Sequence, residues 1–348
     1  LPIAEVAYAS GFSSLRRFND AFRARYGMPP TRLRTTARGA QPAREAAADD
    51  VLTLRLSYRP PFDWAGLLAF LGARAMKGVE WIDGDAYART VRLGARAGWV
   101  RVRHEAGHRA LSVEVTRSMA PALPALLGRL RHVFDLSARP DVIAAHLGQH
   151  ALLARAVSRN PGLRVPGAFD GFELAVRAIL GQQVSVKAAT TIAGRFAAAL
   201  GEPVDTPHAG LDRLAPTPER VVAAGAAGIA SLGIVKVRAG GIVALAEEVA
   251  AGRLSLAPGA HPDRTIEQLV ALPGIGPWTA RYIAMRALRW PDAFPKEDAI
   301  LRSALGGVTA VRAEEMSQAW SPWRSYATLH LWAAGAEARP RRPGTPYA

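Results

Sequence analysis

Residues Leu272 to Arg302 read LPGIGPWTARYIAMRALRWPDAFPKEDAILR, and this stretch constrains the chain more than any other. Leu272-Pro273-Gly274-Ile275-Gly276 predicts a tight turn, because two glycines admit positive φ and close backbone approach. A helix is expected from Pro277 or Trp278, since proline suits a first helical turn. The free N–H groups and the dipole of such a helix start favour an anion. A proline-containing loop follows over Pro291 to Lys296, then the acidic pair Glu297-Asp298 and a second apolar helix beginning at Ala299. A turn suited to phosphate thus precedes a carboxylate at a helix start.

Turn, loop and aspartate, in that order and spacing, resemble the helix–hairpin–helix signature of base-excision DNA glycosylases. The resemblance implies that Asp298 is the catalytic carboxylate and that Gly274, Ile275, Gly276 and Thr279 grip the DNA backbone. It also implies a monovalent cation held by carbonyls near the hairpin; no other metal or cofactor is expected. The competing reading is a hairpin that only holds backbone, with Asp298 as a plain helix cap.

Composition agrees with a polyanionic partner. The chain has 348 residues, a net charge of +15, and 44 Lys+Arg against 29 Asp+Glu. Most of the basic residues are arginine, which suits bidentate phosphate contacts. Part of this charge reflects a general richness in Ala, Arg and Gly. With no cysteine, disulfides, cysteine nucleophiles, cysteine zinc sites and cysteine-ligated iron–sulfur clusters are excluded. No signal peptide and no apolar run of transmembrane length is apparent, so no membrane partner is expected.

Four segments are expected along the chain. Residues 1–34 predict two helices, with Leu15, Phe18, Phe22 and Tyr26 on one stripe. GFSSLRRFNDAFRARYG resembles the second helix-turn-helix of AraC-type regulators, which implies that Ser13 to Phe22 enters a major groove. The pattern begins mid-unit, which suggests a piece of a longer bacterial protein fusing an adaptive-response regulator to an enzyme. Residues 35–50 lack periodicity and predict a linker. Residues 51–136 hold alternating runs, VLTLRLSY, ARTVRL, WVRVRH and ALSVEV. With the helices DWAGLLAFLGARA and Pro121 to Phe134, they predict a small four-stranded antiparallel α+β domain. Residues 137–348 predict an all-α region.

RPPFDWAGLLAFLGARA resembles the N-terminal domain of the 3-methyladenine DNA glycosylase II family. RAILGQQVSVKAA resembles the minor-groove segment of these enzymes, and PWRSYA their C-terminal motif. The resemblance implies that Gln183 fills the gap left by a flipped base, some relatives having leucine there. It implies that Phe70 and Trp332 line the lesion pocket, although core packing explains either ring as well. Trp278 and Tyr282 are four residues apart and so share a helix face. A flipped base is read by stacking on aromatic rings, and an electron-poor alkylated purine suits an indole.

Lyase-active relatives carry a lysine two residues after the second hairpin glycine, and here that position is Trp278. The resemblance therefore implies a monofunctional enzyme that flips alkylated bases from double-stranded DNA and hydrolyses the N-glycosidic bond, acting as a cytoplasmic, nucleoid-associated monomer. Two alternatives stand beside it. One is a non-catalytic DNA-binding or regulatory protein, and the other a glycosylase for another lesion class. The sequence leaves Arg302 and Lys296 without an assigned role.

Overall fold

A computed structural model describes residues 14–26, 28–32 and 51–338, besides Ile3. The first expected helix, its Gly11 corner and the 35–50 linker lie outside the described residues. Helix α1 (Leu15–Tyr26) is present. Its aromatic stripe packs on itself with tilted rings, Phe18 against Phe22 at 5.7 Å and Phe22 against Tyr26 at 4.5 Å. Leu15, expected on that stripe, is exposed. Phe18 and the following Met28 are buried, and Met28 joins the core of the sheet that follows.

That sheet has five strands, β1 (Val51–Ser57), β2 (Glu80–Asp83), β3 (Ala86–Leu93), β4 (Arg96–Glu105) and β5 (Ala110–Thr116). They pair antiparallel in the order β1-β5-β4-β3-β2. Alternation works as expected in β1, whose Leu52, Leu54 and Leu56 are buried while their neighbours face outward. The fourfold expectation is corrected by β2. Only four residues long, β2 has no readable alternation; it exists because a turn at Gly84, φ 60, folds it onto β3. Helices α2 (Trp64–Ala73) and α3 (Leu123–Val133) complete this layer.

The remainder of the described chain is helical: α4 (Pro140–Leu147), α5 (Ala151–Arg159), α6 (Gly171–Leu180), α7 (Val186–Leu200), α8 (Pro218–Ala230), α9 (Lys236–Ala250), α10 (Pro262–Val270), α11 (Pro277–Arg286), α12 (Ala299–Ala304), α13 (Ala310–Ser317) and α14 (Arg324–Ala338). These helices surround two apolar cores. One is built from α6 to α11 and includes Ile275, Ala280 and Ile283. The other joins α4 and α5 to the C-terminal helices and includes Leu301, Phe294 and Tyr326. Helix α11 belongs to both, since Ile283 faces the first core and Met285 the second.

Buried charge ties the sheet to α6. Arg89 Nη2 donates to Glu173 at 2.7 Å, while Arg177 and Tyr87 both donate to Glu80 at 2.6 Å. Glu80, Arg89 and Glu173 are all buried, so each charge requires its partner. This network fixes β2 and β3 relative to α6, the first helix of the region that carries the hairpin.

Candidate active site

The hairpin forms as the glycines dictate. Gly274 takes φ 76, a conformation that side-chain-bearing residues rarely adopt. Gly276 caps α11 in extended conformation with no side-chain hydrogen bond, and Pro277 opens the helix. Both glycines are exposed. Ile275 and Thr279 are buried, so among these four positions the glycine backbone lies at the surface while the other two side chains anchor the turn.

Asp298 caps α12, its Oδ1 accepting from the Leu301 N–H at 2.8 Å. The cap reading is therefore correct as far as it goes, but two indoles also converge on this carboxylate. Trp278 Nε1 donates to Oδ2 at 2.8 Å, and Trp332 Nε1 donates to Oδ1 at 3.1 Å. Trp278 comes from α11 and Trp332 from α14, so the carboxylate sits on the seam between the two helical cores. Oδ2 carries only the one indole bond and keeps acceptor capacity.

The aromatic rings form a group around it. Trp278 and Tyr282 stack with centroids 5.3 Å apart and planes 7° apart. Tyr282 and Trp332 lie 6.4 Å apart, tilted by 42°. Phe70 joins through arginine. The Arg286 guanidinium is 5.0 Å from the Phe70 centroid and 5.5 Å from that of Tyr282. The five predicted residues Asp298, Trp278, Tyr282, Trp332 and Phe70 are thus brought to one place.

Sequence reading missed the residues that hold this group still. Arg286 is buried and donates to Tyr282 Oη at 2.7 Å, to Pro166 O at 2.7 Å and to Gly167 O at 3.1 Å. Its fork is spent on the protein, so it fixes the tyrosine and does not face a substrate. Burial raises the Tyr282 pKa, but Arg286 and then Arg74 outweigh it, and the phenol ends below its ordinary value. Arg324 grips Asp292 through Nε at 2.9 Å and Nη2 at 2.8 Å. The Ser325 N–H donates to Pro291 O at 2.9 Å, and Ser325 Oγ accepts from the Ala293 N–H at 3.1 Å. The PWRSYA stretch therefore clamps the loop before Asp298 onto the helix that carries Trp332. An arginine beside a distant aspartate leaves no mark in sequence spacing.

The neighbours of Asp298 are engaged elsewhere. Glu297 pairs with Arg281 at 2.5 Å, and Lys296 with Glu314 at 3.1 Å. Arg302, left without a role by the sequence, donates its Nε to Val308 O at 2.8 Å.

Gln183 stands apart from the aromatic group. It is exposed, with φ 54, in the turn between α6 and α7. Gln182 beside it reaches the hairpin, donating to Gly274 O at 2.9 Å.

Comparison with known proteins agrees with this geometry. Residues 53–170 match the AlkA N-terminal domain, residues 176–324 the HhH-GPD superfamily of base excision DNA repair proteins, and residues 1–36 a helix-turn-helix domain. The chain is 34% identical over 277 residues to DNA-3-methyladenine glycosylase 2 of Escherichia coli, an alignment covering 80% of this chain and 95% of that protein. It is 42% identical over 338 residues to the probable bifunctional transcriptional activator/DNA repair enzyme AlkA of Mycobacterium tuberculosis. That match covers 95% of this chain but 66% of the longer relative. A 3-methyladenine DNA-glycosylase from Archaeoglobus fulgidus shares the fold, with a TM-score of 0.70 at 21% identity over 81% of this chain and 98% of that one.

Proposed function

The chain belongs to the DNA-3-methyladenine glycosylase 2 family of helix–hairpin–helix base excision repair proteins, and on that premise we propose that it is a monofunctional glycosylase removing alkylated bases from duplex DNA. One observation carries the reading: a carboxylate held by two indole N–H groups, Trp278 and Trp332, at the edge of an aromatic stack. A plain helix cap needs neither indole.

The chemistry follows from the groups present. The hairpin N–H groups take a phosphate and set the duplex in register. The damaged base leaves the stack and lies against the indole and phenol rings. As the C1′–N bond breaks, its electron pair goes to the base and positive charge develops on the sugar. Asp298 stabilises that charge, water adds at C1′ and loses a proton, and the products are a free base and an abasic site. A cationic alkylated base is the better leaving group and the better stacking partner.

A monovalent cation at the hairpin fits the donors available. The carbonyls of Leu272 and Gly274 each accept one hydrogen bond, from the Ile275 N–H and from Gln182, and each retains a second lone pair. Such an ion would add positive charge beside the phosphate, and no step above depends on it. Among the described residues no helix is long and apolar enough to cross a membrane. Action as a monomer on cytoplasmic, nucleoid-bound DNA is part of this proposal.

The test is base release from an alkylated duplex by the wild-type chain and by Asp298→Asn. Wild-type protein releases base, and the variant binds the same DNA but is slower by roughly 10²–10³-fold, the range for loss of an electrostatic stabiliser. Equal rates would return Asp298 to a capping role and favour a DNA-binding protein without this chemistry.

A further inference from the structure

Three helical corners in this chain share one backbone pattern. After α6 the chain turns through left-handed Gln183, φ 54, then Val184, then the extended cap Ser185 opens α7. After α8 it turns through left-handed Gly233, φ 83, then buried Ile234, then the extended cap Val235 opens α9. The hairpin is the third, with left-handed Gly274, φ 76, buried Ile275 and the extended cap Gly276 opening α11. Two corners use glycine where the backbone is left-handed. The first uses an exposed glutamine and carries the strain of a side chain there.

The hairpin and the start of α9 both reach Gln182, beside the first corner. Its side-chain Nε2 donates to Gly274 O at 2.9 Å and to Thr279 Oγ1 at 3.1 Å. Thr279 is buried at 3% exposure, so that anchor is fixed. The Gln182 carbonyl in turn accepts from Arg238 Nη2, on the first turn of α9. One residue therefore joins the corner that bears Gln183 to the turn that would hold phosphate, and is itself held from the first turn of α9, just past the Gly233 corner.

We propose that Gln182 is a positioning residue: it locks the Gln183 corner onto the hairpin turn, so that gap filling and phosphate grip act as one rigid body. The inference rests on the glycosylase reading and on Gln183 as the residue that fills the vacated stack. Its physical basis is geometric. A plug is useful only if it meets the duplex at a fixed offset from the gripped phosphate. The two corners lie on separate helix pairs, and the Gln182 amide spans them directly.

The experiment measures single-turnover excision of one lesion opposite its normal partner and opposite a mismatch. Gln182→Ala, Gln183→Ala and the double variant are compared, with Gln182→Glu as an isosteric control that cannot donate to Gly274 O. Gln182→Ala and Gln182→Glu are expected to lose roughly tenfold or more on the paired lesion and much less on the mismatched one, because only the paired base must be kept out of the stack. The double variant should be no slower than Gln183→Ala, since Gln182 acts through its neighbour. Arg238→Met, which loosens the clasp from the other side, should show the same pairing dependence. Equal losses in both contexts, or losses that multiply in the double variant, would overturn the inference. A pairing-dependent loss in Gln183→Ala alone would overturn the clasp and leave the plug. No such loss in Gln183→Ala would remove the plug and the clasp together. No base release by the wild-type chain would remove the glycosylase reading beneath both.

Discussion

Trp278 donates its indole N–H to Oδ2 of Asp298 at 2.8 Å, so the residue standing where lyase-active relatives carry lysine is bound to the carboxylate itself. Its ring also stacks on Tyr282, and the two roles separate by substitution. Trp278→Phe keeps a stacking ring and removes the donor. A hydrogen bond to a charged group contributes about 1.5–3 kcal/mol, so the excision rate should fall roughly 10- to 100-fold with little change in DNA affinity. Single-turnover rates with a parallel binding titration check this. A loss confined to affinity would mean that the indole contacts DNA and does not orient Asp298.

The product should be an intact abasic strand. Schiff-base chemistry needs a free amine as nucleophile, and the amine nearest Asp298 in sequence, Lys296, is paired with Glu314 at 3.1 Å. Borohydride added during turnover is expected to trap no covalent adduct, and denaturing gels should show strand breaks only after alkali. A trapped species lost in Lys296→Ala would identify that lysine as the nucleophile.

Gly276→Asp should divide stability from binding. Gly276 has φ −85 as cap of α11 with no side-chain bond, and a Cβ there meets nothing within 4 Å. Aspartate is a good N-cap, so the unfolding midpoint should hold or rise slightly. The same carboxylate beside a phosphate should weaken binding to damaged and undamaged duplexes alike. Lesion preference should not change, because phosphate contacts position the protein and base contacts specify. A changed preference would place the turn against the base.

Acid should destabilise the fold in a defined window. Burial pushes His330 down to about 4, and burial with Arg289 beside it does the same to His132. A depressed folded-state pKa contributes stability that is present above the ordinary histidine value of about 6.5 and is lost as pH falls toward 4. Asp135 opposes this. Burial raises it to about 6 even though Tyr326 donates to it at 2.6 Å, so its share is present at low pH and lost as pH rises through 6. Melting temperature should therefore fall between pH 6.5 and 4, less steeply in His330→Leu and more steeply in Asp135→Asn. An unchanged slope in both variants would refute the assignment.

Much of this site was legible before any coordinate. Gly274 announces a turn because no other residue takes its left-handed backbone freely. Pro277 and Asp298 mark helix starts, and the four-residue spacing of Trp278 and Tyr282 puts both on one face. Each of these is a local rule, acting between residues a few positions apart. Strand β2 escaped because four residues carry no period, and it forms only where β3 offers a partner.

The amino-acid sequence by itself marked most of the elements, the hairpin and a carboxylate at a helix start. Tertiary structure decided what that carboxylate touches. Trp332 reaches Asp298 from 34 positions away, and Gln182 reaches Gly274 from 92. The Arg286 fork closes on Pro166 and Gly167, and Arg324 on Asp292. None of these pairs has a characteristic spacing, because each depends on how elements distant in sequence pack together. Spacing encodes the geometry of one helix or turn, whereas the distance between two helices is set by the side chains buried between them.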